Sequence, residues 1–134
     1  RGLAATFESI RAAALDDADR YWRQTDLFFD LLMRGARNGV AYDLMKSLRT
    51  RIRYLRSTTT RFATPDYRKG TVAHLEAITD ALARRSATTA ATRVRTFVDR
   101  SAKFAAECLA HRDEASAADR TRKRQSAARI EAAD

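Results

Sequence analysis

The chain has 134 residues, 45% hydrophobic and 32% charged, with 26 Lys and Arg against 17 Asp and Glu, a formal charge of +9. That length makes one domain with room for a real core, and no run approaches the ~18 uninterrupted apolar residues of a membrane span. No signal peptide opens the chain, and the single cysteine, Cys108, excludes an internal disulfide, so a cytoplasmic protein without a membrane role is expected.

Only 4 Gly and 1 Pro punctuate the chain. Alanine and arginine, both good helix formers, are abundant, and no segment alternates with period two for long. The expected fold is all-α, an antiparallel helical bundle with short connections. Leu3, Phe7, Ile10 and Ala14 recur at helical spacing and predict a first helix over 2–15. Asp16 and Asp17 can cap a second, running to about Arg37, where Asn38-Gly39 breaks it. A third spans 40–60, with Val40, Leu44, Met45, Leu48, Ile52 and Leu55 inward. Pro65 opens a fourth, to about Arg85, which buries Tyr67, His74, Ile78, Ala81 and Leu82. Ser86 caps a fifth, in which Val94, Phe97, Val98, Ser101, Phe104, Ala105 and Cys108 share a face. Two parts follow: a bundle over 1–114 and a charged helical or disordered tail over 115–134, where Arg120 to Arg124 form a basic knot. The chain starts at Arg1 without a methionine and reads as a fragment.

Charge is unevenly placed. Residues 16–30 hold five aspartates against Arg20 and Arg23, whereas residues 31–62 hold eight basic side chains against Asp43 alone. A basic domain raises nucleic acid as a partner. The alternative is a coding bias that puts arginine where another chain would use Gln or Ser, and the arginines lack the aromatic interleaving of a base-stacking platform.

Several polar groups fall on apolar faces. Asp26 and Asp30, one turn apart, border an arc formed by Tyr21, Trp22, Thr25, Phe28, Phe29, Leu32 and Met33. His74 falls within the fourth helix's stripe; a lone histidine there is either a hydrogen-bonded core residue or a ligand. Arg51 falls among Val40, Leu44, Leu48 and Leu55, and a buried guanidinium requires a partner. That partner is Asp26 or Asp30 in a structural ion pair, or the acid group of a ligand. Tyr54 lines a cavity or packs. No nucleophile stands beside a base, and no phosphate loop or paired Cys motif occurs, so no enzyme is expected.

In order and spacing these residues resemble the FCD effector-binding domain of the FadR subfamily of GntR-type transcription regulators. Asp26-Leu-Phe-Phe29-Asp30 stands at the family's Asp/His motif, Asn38-Gly39 at its break and Leu48 to Leu55 at its arginine-rich helix. His74-Leu-Glu-Ala-Ile78 stands at its His-x-x-Ile helix, and Phe97 where its final histidine would be. The resemblance covers about 15–100. It implies a ligand-sensing, homodimeric domain of a cytoplasmic repressor whose DNA-binding winged helix precedes Arg1. It also implies a metal site of one aspartate and three histidines, of which only Asp26 and His74 survive. Asp30 and Phe97 take two histidine positions, so no metal cofactor is expected; were a divalent metal present, Asp26, Asp30 and His74 would hold it. The candidate ligand-binding residues are Arg51, Asp26, Asp30, His74, Trp22, Phe29, Tyr54 and Phe97. Aromatic surface in place of a histidine favours a fatty acid or fatty acyl-CoA as effector, with a small carboxylate as the alternative. A TetR-type ligand domain and a non-sensing helical protein-interaction module are the remaining readings.

Overall fold

The computed structural model describes residues 2–131. Five α-helices follow one another: α1 Gly2–Ala13, α2 Ala18–Gly35, α3 Gly39–Thr59, α4 Pro65–Ala83 and α5 Ala87–Glu131, with a 3-10 turn at Thr60–Phe62. The expected helices are all present, and no strand occurs among the described residues.

Each helix start has a local cause. Asp17 accepts the Arg20 amide at 2.8 Å, Asn38 the Ala41 amide at 3.0 Å and Thr64 the Tyr67 amide at 3.1 Å. Each side chain thereby satisfies one of the amides that a helix leaves without a carbonyl partner. Pro65 occupies the first turn of α4, where its missing N–H costs nothing. Ser86, expected to cap α5, instead donates its hydroxyl to Thr89 Oγ1 at 2.7 Å. The turns after α2 and α4 place Arg37 at φ 51° and Arg85 at φ 54°, the left-handed conformation usually given to glycine.

The core lies between α1, α2 and α4. Phe7, Ile10, Tyr21, Phe28, Leu75 and Ile78 are its largest members, with Val72, Ala13 and Ala14 between them. A buried arginine ties its end together. Arg68 donates to the carbonyls of Ala14 at 2.5 Å, Ala63 at 2.8 Å and Leu15 at 3.2 Å. The cation thus meets the carbonyl end of α1, where the helix dipole favours positive charge, and needs no carboxylate.

Helix α3 stands apart from this core. Thr59 is its only buried residue, while Val40 and Leu44 are 83% and 60% exposed. Val40 and Leu44, expected inward, therefore lie outside, whereas Met45, Ile52 and Leu55 of the same expected stripe line a cavity between α2, α3 and α5. The face turned toward the bundle runs through Tyr42, Met45, Arg49, Ile52, Arg56 and Thr59, spaced by alternating threes and fours. Helix α5 extends far beyond its neighbours; at 1.5 Å per residue its 45 residues span about 68 Å.

Candidate functional site

A cavity of about 350 Å³ opens between α2, α3 and α5, with Tyr67 and Thr71 of α4 at its base. Helix α2 contributes Trp22, Thr25, Asp26, Phe29 and Asp30. These positions recur at three and four residues, so a single α2 face supplies them. Phe97 of α5 lies 4.9 Å from Phe29, centroid to centroid, and Phe104 stacks on Tyr67 at 3.8 Å. Aromatic pairs of this kind form a continuous apolar wall.

The threonine hydroxyls of the lining are already satisfied. Thr25 donates to Tyr21 O at 2.9 Å. Thr71 donates to Tyr67 O at 3.0 Å and accepts from Arg100 Nη1 at 2.8 Å. Arg100 also donates to Tyr67 O at 3.1 Å and lies 4.2 Å from the centre of the Tyr67 ring. The base of the cavity therefore offers an incoming molecule mainly apolar contact, with both threonine hydroxyls already used.

The charged groups line the side where α2 meets α3. Arg56 pairs with Asp26 and lies over the Trp22 ring at 5.1 Å. Asp30 receives Arg49 at 2.8 Å and Arg34 at 2.8 Å, and Tyr42 donates to it at 3.4 Å. The side chain of Asp30 is only 13% exposed, so its pairing offsets a real desolvation cost. Two ion pairs thus fasten α3 to α2, where few apolar contacts do so.

Five of the residues expected from sequence, Trp22, Asp26, Phe29, Asp30 and Phe97, line this cavity. Three do not. Arg51, expected inside, is exposed, because the pairing of Arg49 and Arg56 turns α3 so that Arg51 lies about 200° around from Arg49. Tyr54 is 61% exposed and accepts from Arg112 at 3.4 Å outside the cavity. His74 sits half-buried at the edge of α4's inward face, which runs instead through Arg68, Thr71, Val72, Leu75 and Ile78. Burial, and then the nearby Arg100 and Arg93, hold its imidazole below the usual histidine range.

The metal set implied by the family resemblance does not fit this geometry. Asp26 and Asp30 are engaged by arginines, and His74 lies outside their cavity. Among the described residues no three His, Cys, Asp or Glu side chains are grouped to hold a metal ion. Arg49, Arg56, Tyr42 and Thr71 were not singled out as site residues, although the heptad spacing from Tyr42 to Thr59 carries three of them.

Two buried donors lack an acceptor among the described residues, Tyr21 Oη and Trp22 Nε1. Burial pushes the Tyr21 hydroxyl up to about 12, against the opposing influence of Thr71 beside it and of Arg100 and Arg56.

Residues 1–100 match the FCD domain family. No curated protein and no solved structure matches the chain. No described helix is long and apolar enough to cross a membrane.

Proposed function

Because the chain belongs to the FCD domain family, the C-terminal effector-binding domains of GntR-type transcription regulators, we propose that the cavity between α2, α3 and α5 is its effector pocket and that the effector is a fatty acid or fatty acyl-CoA. This is a regulatory family rather than an enzyme family. The observation that carries the ligand class is the division of the cavity. Its base is aromatic, with the Thr25 and Thr71 hydroxyls satisfied, and its cations lie along the α2–α3 side. An amphiphile meets both demands: the chain buries apolar area at ~25 cal/mol per Å², and the acid group meets guanidinium.

The action is a population shift. A ligand touching both α2 and α3 favours one placement of α3 over others, and the change passes to DNA-reading heads carried elsewhere in a homodimeric repressor. A ligand able to do this must bind the two placements with different affinity. Helix α3 suits that role, since its attachment rests on ion pairs more than on buried apolar area.

The test is a thermal-shift titration with fatty acids of about 8 to 18 carbons beside a panel of small hydroxy- and dicarboxylates. Stabilisation rising with chain length supports the reading; a response confined to the small acids assigns the pocket to them. The pocket works without a bound transition metal in this proposal. Elemental analysis of protein purified without chelator, showing about one metal per chain, would overturn that part. A second reading, a helical interaction module, is favoured by the exposed Val40 and Leu44 on the outer face of α3. It predicts no thermal response to any of these acids.

A further inference from the structure

A second, shallower hollow adjoins the pocket. Its volume is about 290 Å³, and it is lined by Asp19, Trp22, Arg23 and Asp26 of α2 and by Arg53, Arg56, Ser57 and Thr60 across from them. Each set is spaced i, i+3, i+4 and i+7, so two single helix faces oppose one another. Trp22, Asp26 and Arg56 belong to both hollows, which makes the Trp22 ring and the Arg56–Asp26 pair their common wall.

We propose that this hollow is a phosphate-binding subsite and that the effector carries a phosphate or diphosphate group at the head of its apolar chain. The inference rests on the effector-pocket reading for the chain, and on its own residues for the head. Three guanidiniums face two carboxylates there, and Asp26 is occupied by Arg56. Arg23 and Arg53 have no carboxylate within ion-pair distance among the described residues. Two free guanidinium forks on facing helices can each take oxygens of one tetrahedral phosphate, whereas a single carboxylate has only two oxygens to share between them. The Ser57 and Thr60 hydroxyls donate to the carbonyls of Tyr54 at 2.8 Å and Arg56 at 2.7 Å, so the donors left for an anion are guanidinium N–H groups. Trp22 Nε1, buried and without an acceptor, is a further donor on a residue of this wall. Asp19 opposes an anion, which fixes the sign of one test.

Trp22 is the only tryptophan of the chain, so its fluorescence reports directly on this wall. Dodecanoate, dodecyl phosphate and inorganic pyrophosphate are titrated against the wild-type chain, against Arg23→Gln/Arg53→Gln, and against Asp19→Asn. Neither arginine makes an ion pair that folding would miss. Dodecyl phosphate is expected to bind about tenfold more tightly than dodecanoate. The double variant abolishes that advantage and leaves dodecanoate unchanged, while Asp19→Asn tightens the phosphate ligands alone. Equal affinity of the two dodecyl compounds, or an advantage that survives the double variant, overturns the subsite and leaves the apolar pocket standing. If neither dodecyl compound binds, the pocket reading fails, and pyrophosphate alone decides the subsite. Quenching lost in the double variant supports it, and no quenching overturns it. A mononucleotide-linked dodecanoyl thioester, run alongside, separates a large nucleotide head from a simple phosphate ester.

Discussion

Tyr21 shows how a single hydroxyl can cost stability inside a well-packed core. Its ring is fully buried, but its Oη has no acceptor among the described residues, and Thr71, beside it, is already engaged with Tyr67 and Arg100. An unsatisfied buried hydroxyl costs ~1–3 kcal/mol. Tyr21→Phe keeps the ring and removes the hydroxyl, so urea unfolding should show unchanged or higher stability, by about 1 kcal/mol. The pH dependence has a definite sign. The folded phenol titrates near 12 and the unfolded one near 10, so above pH 10 the unfolded chain loses its proton first. Wild-type stability should therefore fall as pH rises through that window, and the phenylalanine variant should lack this component. Arg68 presents the opposite case, a buried cation each of whose three nitrogens reaches a carbonyl. Arg68→Met leaves the Ala14 and Leu15 carbonyls unpaired at the end of α1, and that of Ala63 before α4, and should cost roughly 2–4 kcal/mol in the same assay. A loss below about 0.5 kcal/mol would mean that water replaces the guanidinium there.

At the scale of the elements, α3 sets the difficulty. Helices α1 and α2 are legible because each has one apolar arc, and counting along α2 brings Trp22, Asp26, Phe29 and Asp30 to the one face that lines the cavity. Helix α3 has two arcs of similar quality. One, the expected stripe, runs through Val40, Leu44, Met45, Leu48, Ile52 and Leu55, and the other shares Met45, Ile52 and Leu55 with it and adds Tyr42 and Thr59, with two arginines among them. Hydrophobicity alone favours the first, which put Arg51 inside. The second wins because α2 presents Asp26 and Asp30, and a paired guanidinium near an aromatic ring is a better neighbour for them than valine. Nothing local to α3 encodes that choice. It follows that Leu44→Ser should cost less than about 0.5 kcal/mol, whereas Ile10→Ala in the core should cost 2–5 kcal/mol. A large loss from the Leu44 change would show that a second surface covers that face in solution. The left-handed Arg37 and Arg85 were not foreseen either, since arginine gives no turn signal. Replacing either with glycine should raise the melting temperature slightly, by the equivalent of about 0.5–1 kcal/mol.

For the whole molecule, the extent of the domain turns on where α5 stops contributing to the core. The family match ends at residue 100, yet Ser101, Phe104 and Ala105 line the cavity between α2, α3 and α5, and Cys108 is buried. Phe104 stacks on Tyr67, and Arg112 reaches back to the Tyr54 hydroxyl. From Asp113 to Lys123 every residue is exposed, so that part of α5 is held by helix propensity and side-chain pairs such as Lys123–Asp119 at 2.9 Å. Two truncations should therefore behave differently. Ending the chain after Ala115 removes no buried side chain among the described residues and should shift the melting temperature by no more than about 2 °C. Ending it after Arg100 deletes Phe104 and Cys108, opens the cavity wall opposite Ile52, and should cost several kcal/mol, measurable as a lower urea midpoint. If the two truncations lose stability equally, the exposed half of α5 is packed against another surface in solution, and the bundle extends beyond a single chain.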